Sequence, residues 1–267
     1  MTYIVMPIKN EAFNLGSALD NLVNLPITKV IAVINGCTDN TEEIILDHPL
    51  YKENKIIIIK FIEALGIDVP RAVGAAYAYL QTNCQAVVFV DGDMTGNISR
   101  NLQHLIEAVT TNKVDMALTN CYPYINNREP LVKTILSFRE KLNSTLGLLS
   151  QLGVSLPSHG PHGLSRRSLE IIPWEFIAIP PLSLAYGAQH QLNIKVVTSI
   201  PHKELLSAPR KVNHSIKVAE TIIGDCIEAI NYIKYSRRDR TYNGLEYLGY
   251  HPERRFDLLQ EYIASLT

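Results

Sequence analysis

Apolar runs alternate with helical patterns along the first half of the chain. Short runs rich in Val and Ile predict strands, and apolar positions spaced three or four residues apart predict helices. Strands are predicted at 3–6, 30–34, 56–61, 86–90 and 116–120, and helices at 15–25, 41–46, 71–81 and 99–110. This alternation is typical of βαβ units, so we predict an α/β fold with a mainly parallel central sheet flanked by helices.

The second half of the chain is less regular. It contains a long helical pattern at 131–152, a loop at 155–162, a strand at 194–200, and two terminal helices at 212–235 and 245–266. No composition shift divides the chain, so we predict a single domain with a helical appendage at its C-terminal end. The apolar faces of the terminal helices suit either a cover over the site or a homodimer interface, and both roles stay open.

Composition and charge narrow the class of ligand. The 267 residues are 46% hydrophobic and 19% charged, and the net charge of −1 is spread without a basic stripe. This argues against a nucleic-acid polymer as a partner and leaves a small phosphorylated ligand possible. The four cysteines lack zinc-ligand spacing and are expected to be reduced. Because there is no signal-peptide pattern and no apolar run of about 20 residues, we expect a cytoplasmic protein without a transmembrane segment.

The predicted strand at 86–90 ends in the sequence Asp91-Gly92-Asp93. Two carboxylates at the end of a buried strand repel each other unless a cation or water compensates them. Oxygen ligands suit Mg²⁺ or Mn²⁺, which proteins bind through one or two carboxylates together with substrate phosphates. The alternative interpretation is a polar turn that caps the strand, and an isolated Asp-Gly-Asp motif does not choose between the two.

Other polar segments follow neighbouring strands. Residues 7–11 and 35–41 provide short polar side chains at strand ends, although the same residues suit turns and helix caps. Arg71 lies beside Pro70 at the predicted start of a helix, where free amides and a partial positive charge favour a diphosphate. An exposed arginine without a ligand is the alternative there. Open parallel sheets bind ligands at the carboxyl ends of their strands, which is where these segments lie.

These segments, in this order, resemble the nucleotide-sugar-binding half of the family-two-like GT-A glycosyltransferases. In that group the first strand leads into a Pro-x-x-Asn-Glu element, as at 7–11, and a later strand ends in Asp-x-Asp, as at 91–93. The rest of the chain resembles the glucosyl-3-phosphoglycerate synthase type more loosely. There, 160–167 and the segment 168–173 are similar to that family's acceptor loop and helix, and the 194–202 strand ends in a histidine where the family places a metal ligand.

The resemblance implies a GT-A (Rossmann-like) fold with a donor half at 1–120, an acceptor half at 121–210 and C-terminal helices at 211–267. It implies transfer of a hexose from a nucleoside diphosphate sugar, with uridine favoured as the base, to a small hydroxylated or anionic acceptor, assisted by Mg²⁺ or Mn²⁺. The implied donor-binding residues are Pro7, Asn10, Glu11, Asn35, Asp39, Arg71, Asp91 and Gly92. The implied metal ligands are Asp91, Asp93 and His202, with His214 as a rival, and the implied catalytic residues are Asp93 and Arg71. The implied acceptor-binding residues are Gly160, His162, Gly163 and Arg166.

The chain also departs from the family pattern. Inverting relatives carry a carboxylate base where residues 179–184 contain no acid, and Gln189 stands where the synthase type has a glutamate. A retaining reaction that uses a donor phosphate oxygen as base, a base from elsewhere, and a different mode of acceptor recognition all remain open. Two other functions remain as alternatives: nucleotidyl transfer onto a sugar phosphate, which predicts a glycine-rich loop that 7–11 lacks, and a nucleotide-sugar-binding module without catalysis.

Overall fold

A computed structural model describes residues 1–124, 129–207 and 212–266 of the chain. Its main sheet has seven strands in the order β3-β2-β1-β4-β6-β5-β7. The strands are β1 Thr2–Ile8, β2 Lys29–Asn35, β3 Ile56–Phe61, β4 Ala86–Phe89, β5 Met116–Asn120, β6 His162–Ser165 and β7 Ile194–Ser199. Strand β6 pairs antiparallel with β4 and β5, and the other neighbouring pairs are parallel. The carboxyl ends of the other six strands therefore lie at one edge of the sheet.

Helices surround this sheet, and a small hairpin lies near the C-terminal end. The helices are α1 Leu15–Asp20, α2 Thr41–Asp47, α3 Pro49–Lys52, α4 Val69–Leu80, α5 Ser99–Thr110, α6 Pro130–Thr145, α7 Leu149–Leu152, α8 Arg166–Ile171, α9 Trp174–Ile177, α10 Pro180–Gln189, α11 Val212–Tyr235 and α12 Phe256–Leu266. The hairpin strands are β8 Thr241–Tyr242 and β9 Leu245–Glu246, and single 3₁₀ turns span His202–Leu205 and His251–Glu253. None of the helices in the described ranges combines the length and apolar character needed to cross a membrane.

The sheet separates two hydrophobic clusters. Successive side chains of a strand point to opposite faces, so Val5 packs in one cluster while Ile4 and Met6 pack in the other. The first cluster includes residues of α4, α10, α11 and α12, and the second includes residues of α1 and α5. Burial on both faces explains why the strands read as continuous apolar runs rather than as alternating patterns.

Helix α4 lies unusually close to the sheet. A Cβ atom on Gly74 would collide with the side chain of Val5 in β1, so only glycine permits this approach. Pro70 occupies the first turn of the helix, where its missing N–H costs nothing. The close packing brings Arg71, at the same end of α4, against the carboxyl edge of the sheet.

The predicted α/β fold is confirmed, and each predicted strand begins and ends within two residues of an observed one. Three helical predictions are too long: the 15–25 helix ends at Asp20, the 131–152 helix is interrupted at Gly147, whose φ is +71°, and only the second half of the 245–266 helix is helical. Strand β6 was not predicted at all, since a four-residue strand containing His, Gly and Ser has no apolar run. The predicted boundary at 210/211 lies outside the described residues.

Candidate active site

The loops after β1 and β2 are joined by hydrogen bonds at the carboxyl edge of the sheet. The N–H of Glu11 donates to Thr41 Oγ1 at 3.0 Å, and the N–H of Ala12 donates to Asp39 Oδ2 at 3.1 Å. Burial acts to raise the pKa of Asp39, but the hydrogen bonds from Thr41 and Ala12 outweigh it and hold that pKa below its ordinary value. Asp39 is therefore ionised at neutral pH and Glu11 is buried beside it.

Asn10 and Asn35 brace the same edge. Asn10 has a φ of +55°, which places its Oδ1 where it accepts the N–H of Thr38 at 2.8 Å. Asn35 Oδ1 accepts the N–H of Leu65 at 2.6 Å, and its Nδ2 donates to Gly66 O at 3.1 Å. Both polar atoms of the Asn35 side chain thus bond to the backbone of the loop that leads into α4. Asn35 would therefore shape a donor pocket by holding that loop in place.

Arg71 is the buried cation of the site. Its guanidinium donates through Nη1 to Asp68 and through Nη2 to Asp91 Oδ1, the latter at 2.6 Å. Burial acts to lower the pKa of Arg71, but Asp91 and Asp68 raise it above its ordinary value, so the charge is permanent. The Nε atom is buried without a hydrogen-bond partner among the described residues. A buried N–H donor that lacks an acceptor is costly unless a ligand supplies one.

The two aspartates follow β4 at this same edge. Asp91 and Asp93 are both partly exposed, and Gly92 between them packs so tightly that a Cβ atom there would lie 3.3 Å from Ile8. The N–H of Gly92 points at the carbonyl of Pro7 in β1, 3.4 Å away. The predicted donor residues of β1, β2, β4 and α4 are therefore brought together by the fold.

The segment after Asp93 contacts the segment that begins at His202. Gly96 N–H donates to Leu205 O at 3.0 Å, and Thr95 Oγ1 donates to Leu206 O at 3.0 Å. A side chain on Gly96 would collide with the backbone of Glu204, so the two segments approach as closely as backbones can. Asp93 and His202 thus lie on neighbouring segments although 109 positions of the sequence separate them.

His202 is part of a stack of rings. Its Nδ1 lies 3.1 Å from His159 Nε2, and the ring of Tyr122 stacks on His159 with centroids 5.2 Å apart. Arg139 lies 5.7 Å from the centre of the Tyr122 ring. Burial, followed by the charge of Arg139, lowers the pKa of both His159 and His202, which favours neutral imidazoles.

A divalent cation suits the chemistry of these donors. When His202 Nδ1–H donates to His159, the Nε2 atom of His202 keeps a lone pair, which is the arrangement of metal-binding histidines. The atoms of Asp91, Asp93 and His202 do not form a closed cluster, however. Within the described ranges, the trio of possible ligands whose atoms all lie within 4.8 Å of one another is Asp225, Glu228 and His251, in the C-terminal part of the chain.

The predicted acceptor residues divide into two groups. Gly160 has a φ of +74° and a Cβ atom on it would lie 2.5 Å from Cys121 Sγ, which fits a tight loop at the carboxyl edge. His162 and Gly163 belong to β6. His162 stacks on Phe89 with centroids 4.7 Å apart, and burial lowers its pKa to about 3.

The structure places Arg166 away from the other predicted acceptor residues. It follows Ser165, which pairs with Ala86 at the start of β4, whereas the aspartates follow the end of that strand. Its guanidinium donates to the carbonyls of Tyr79 and Cys84 at 3.2 and 3.1 Å. The direction of β6 was the missing information, because an antiparallel strand carries Arg166 to the opposite edge of the sheet. Gly163 is likewise in the interior of the sheet, paired with Val88 and packed on α5.

Two other sequence-based candidates lie elsewhere. His214 Nδ1 lies 2.7 Å from the hydroxyl of Tyr250, so this rival to His202 belongs to the C-terminal part of the chain. Gln189 is exposed at the end of α10, just before the start of β7 and therefore at the edge of the sheet opposite the aspartates. The first half of α10 is buried and contains no acid.

Sequence reasoning missed three residues of the site: Tyr122, Arg139 and Asp68. Arg139 had a usable signal, because it shares the buried face of α6 with Leu142 and Asn143. A charged residue on the apolar face of a helix is a candidate for function. Asp68 had none, since its importance comes from contacts made with distant parts of the chain.

Comparison with known proteins identifies the family. The model of glycosyl transferase family 2 matches residues 3–171. A crystal structure of glucosyl-3-phosphoglycerate synthase from Mycobacterium tuberculosis with Mn²⁺, UDP and phosphoglyceric acid has a TM-score of 0.58 and 17% identity, covering 85% of this chain and 78% of that one. Another structure of that synthase has a TM-score of 0.61 and 15% identity, covering 86% and 81%.

A third structure, with Mn²⁺, UDP-glucose and phosphoglyceric acid, has a TM-score of 0.56 and 18% identity over 85% of this chain and 79% of that one. No curated protein matches the sequence. At these identities the solved structures establish the GT-A fold alone. The family match covers more than half of the chain, including the segments after β1, β2, β4 and β5 but not the segment that begins at His202, and shows that the protein is a glycosyltransferase that belongs to glycosyl transferase family 2.

Proposed function

We propose that this enzyme transfers a hexose from a UDP-sugar to a small anionic acceptor at the carboxyl edge of the sheet. The observation that carries the proposal is the position of Arg71. It lies at the start of α4, paired with Asp91, and its buried Nε–H lacks an acceptor among the described residues. A diphosphate that crosses the start of α4 would provide the acceptor that this donor lacks.

The nucleoside part of the donor is assigned to the joined loops after β1 and β2. Glu11 and Asp39 lie there on neighbouring loops: the carboxylate of Asp39 accepts the N–H of Ala12 across the two loops at 3.1 Å, and the carboxylate of Glu11 accepts from Asn14 Nδ2 at 2.9 Å. Carboxylates fixed in this way suit the hydroxyl groups of a ribose and the N–H of a pyrimidine base. Uridine is supported by the similar synthase structures that hold UDP or UDP-glucose.

Asp91, Asp93 and His202 are the residues that would hold Mg²⁺ or Mn²⁺. A bound divalent cation neutralises the charge that develops on the departing diphosphate. Arg71 stabilises the same charge from the protein side, and the rigid loop that contains Gly92 keeps both aspartates beside it. The structures with Mn²⁺ and UDP support this assignment, because their fold is the same.

The environment of Arg139 supports the proposal that the acceptor carries an anionic group. The side chain is only 1% exposed, and no carboxylate of the described part of the chain forms an ion pair with it. An isolated buried cation is costly, so a ligand that brings a phosphate or carboxylate group to it gains affinity. Its neighbours Tyr122 and His159 connect it to His202, and the proposed donor would lie beside that histidine.

The donor assignment is tested by a thermal-shift panel of UDP-, GDP-, ADP- and dTDP-sugars with and without Mn²⁺. A ligand that binds only the folded state raises the unfolding temperature, so we expect UDP-sugars with Mn²⁺ to produce the largest shift. The Arg71→Gln variant should lose that shift, while Arg100→Gln, an exposed arginine of α5, should keep it. A larger shift with another nucleotide would overturn the uridine assignment.

The acceptor assignment is tested with pairs of acceptors that differ only in a phosphate or carboxylate group. Mass spectrometry should detect the glycosylated product of the anionic member, with the neutral member at least about 10-fold slower. In Arg139→Gln this preference should disappear, whereas Lys133→Gln, an exposed change on the same helix, should preserve it. Equal use of both members by the unaltered enzyme would contradict the proposal.

A further inference from the structure

A continuous series of ion pairs runs from the C-terminal part of the chain to the candidate active site. Acids and arginines alternate along it, and each neighbouring pair is in hydrogen-bonding contact. The series is Arg238, Glu228, Arg240, Asp225, Arg254, Asp68, Arg71 and Asp91. Its two ends are partly open to solvent, with side-chain exposures of 32% for Arg238 and 30% for Asp91.

Arg254 is the centre of this series and its most buried member. The side chain is 0% exposed; Nη1 and Nη2 donate to Asp225 at 2.7 and 2.8 Å, and Nη2 also donates to Asp68 at 3.1 Å. The guanidinium therefore joins a carboxylate of α11 to the carboxylate that holds Arg71. Asp68 and Arg254 are 186 positions apart in the sequence.

The backbone around Arg254 clamps the same loop. Arg255 N–H donates to Leu65 O at 2.9 Å, and Arg254 Nε donates to Ile67 O at 3.3 Å. Gly66 has a φ of +85°, and any side chain on it would collide with the carbonyl of Glu253. The loop before α4 is thus fixed by the C-terminal segment through its backbone and through Asp68.

We propose that Arg254 is a positioning residue that sets both the orientation and the available charge of Arg71. This inference rests on the proposed function, because it assumes that Arg71 contacts the donor diphosphate. Asp68 shares its charge between Arg254 and Arg71. Without Arg254, Asp68 would have Arg71 as its one cationic partner, and Arg71 would be held by two carboxylates in competition with the diphosphate.

Geometry gives the second part of the effect. A guanidinium presents its donors in a rigid plane, so the direction of Arg71 Nε follows from where Nη1 and Nη2 are anchored. Asp68 is one of those anchors, and its own side chain is held by Arg254. Displacement of a contacting group by about 1 Å can cost a factor of about 100 in rate.

The test is a double-mutant cycle between Arg254→Gln and Arg71→Gln, with Arg255→Gln as the matched control. Arg255 is the next residue, but its exposed side chain pairs with Glu63 and Asp257 instead. Calorimetry measures the affinity for UDP in the presence of Mn²⁺, and steady-state kinetics measure kcat and KM for the donor. Arg254→Gln should weaken UDP binding about 10-fold in the unaltered background and have no further effect on top of Arg71→Gln.

Equal losses in both backgrounds would show that Arg254 supports the fold in general and would overturn the inference. If Arg254→Gln does not fold, the cycle is repeated with Arg254→Lys in its place, and its loss of UDP affinity should again be confined to the background that contains Arg71. Arg254→Lys should restore part of the affinity, because lysine carries the positive charge but lacks the planar guanidinium with its paired donors. A protein in which Arg71→Gln itself leaves UDP binding unchanged would instead refute the proposed function.

Discussion

Two sets of one histidine and two acids lie in different parts of the molecule. Asp225, Glu228 and His251 form the tighter set, with ligand atoms within 4.8 Å of one another. Arg240 and Arg254 already neutralise the acids, with 2.6 and 2.7 Å between their nitrogens and Asp225 Oδ1. Both guanidiniums also approach His251 Nδ1, at 3.4 and 3.2 Å. The positions that a cation would occupy are thus taken by arginines.

The set at the carboxyl edge is looser and has less positive charge around it. Asp91 is paired with Arg71 and is still 30% exposed. Asp93 is partly exposed, and His202 begins an exposed turn. The comparison teaches that close packing of acids does not identify a metal site. The counter-charge decides, because an acid cluster that the protein itself neutralises has little electrostatic affinity left for a cation.

Replacing Asp93 by Asn should have the largest effect. The variant loses a carboxylate that we propose binds the metal at the point where charge develops, so we expect transfer to fall by about 10³-fold at saturating Mn²⁺. Its unfolding temperature should stay close to that of the unaltered enzyme, because the side chain is partly exposed. Mass spectrometry of the product and a thermal scan measure the two quantities.

Asp47→Asn, an exposed change at the end of α2, is the matched control and should leave both unchanged. Undiminished turnover by Asp93→Asn at saturating Mn²⁺ would falsify the metal role of this residue.

Replacing Asp225 should reduce stability and leave metal binding in place, which is the reverse of the effect expected for Asp93. Its carboxylate is 2% exposed and contacts two buried arginines, so Asp225→Ala should reduce the free energy of unfolding by about 3–5 kcal/mol. The increase in unfolding temperature on addition of Mn²⁺ should persist, because Asp225 is not one of the proposed metal ligands. Denaturant titration measures the first quantity, and a thermal scan with and without ligand measures the second.

Asp257→Ala breaks an exposed pair with Arg255 and should leave the free energy of unfolding close to that of the unaltered enzyme, because solvent screens such pairs. If metal binding, rather than stability, is what Asp225→Ala removes, the distinction between the two sets is wrong.

The contrast also shows what sequence can and cannot predict. The apolar run before Asp91 and the polar segments at 7–11 and 35–41 are local patterns, and strand direction alone brings them to one edge. The link from Asp68 to Arg254 has no local signal, because the partners are 186 positions apart. Two acids on the buried face of α11, followed by an arginine-rich run, were the visible hint that this region holds ion pairs.

The acceptor side was harder for a different reason. Strand β6 inserts antiparallel between β4 and β5, so each residue from 162 to 166 lies progressively farther from the carboxyl edge. Gly160 and Arg166 are close in sequence and similar in appearance as loop residues. The four-residue strand β6 places them at opposite edges of the sheet, and no sequence pattern indicates the direction of that strand.

Replacing His159 should have a smaller effect than either aspartate. If His159 orients His202, then His159→Phe should keep the ring stack on Tyr122 and weaken Mn²⁺ affinity by about 10-fold. His202→Ala should weaken it more, and His104→Phe, an exposed change on α5, should not alter it. Titration of Mn²⁺ followed by electron paramagnetic resonance gives the affinities without a need for turnover. Identical affinities in His159→Phe and the unaltered enzyme would mean that His159 does not orient His202 for metal binding.

The smallest expected difference between the two sets is in how stability changes at low pH. Burial acts to raise the pKa of Asp225, but Arg254 and Arg240 lower it below 3.8, its value in the unfolded chain. The ionised carboxylate therefore stabilises the fold above that pH, and this contribution is lost as the pH falls towards the lowered pKa. One such group adds up to about 1.4 kcal/mol per pH unit to the slope of the free energy of unfolding. Denaturant titrations between pH 5 and pH 3, chosen to span the unfolded pKa, should show a steeper decline for the unaltered enzyme than for Asp225→Asn. Parallel curves would mean that the arginines do not lower the pKa of this acid, and counter-charge would then not explain the difference between the two sets.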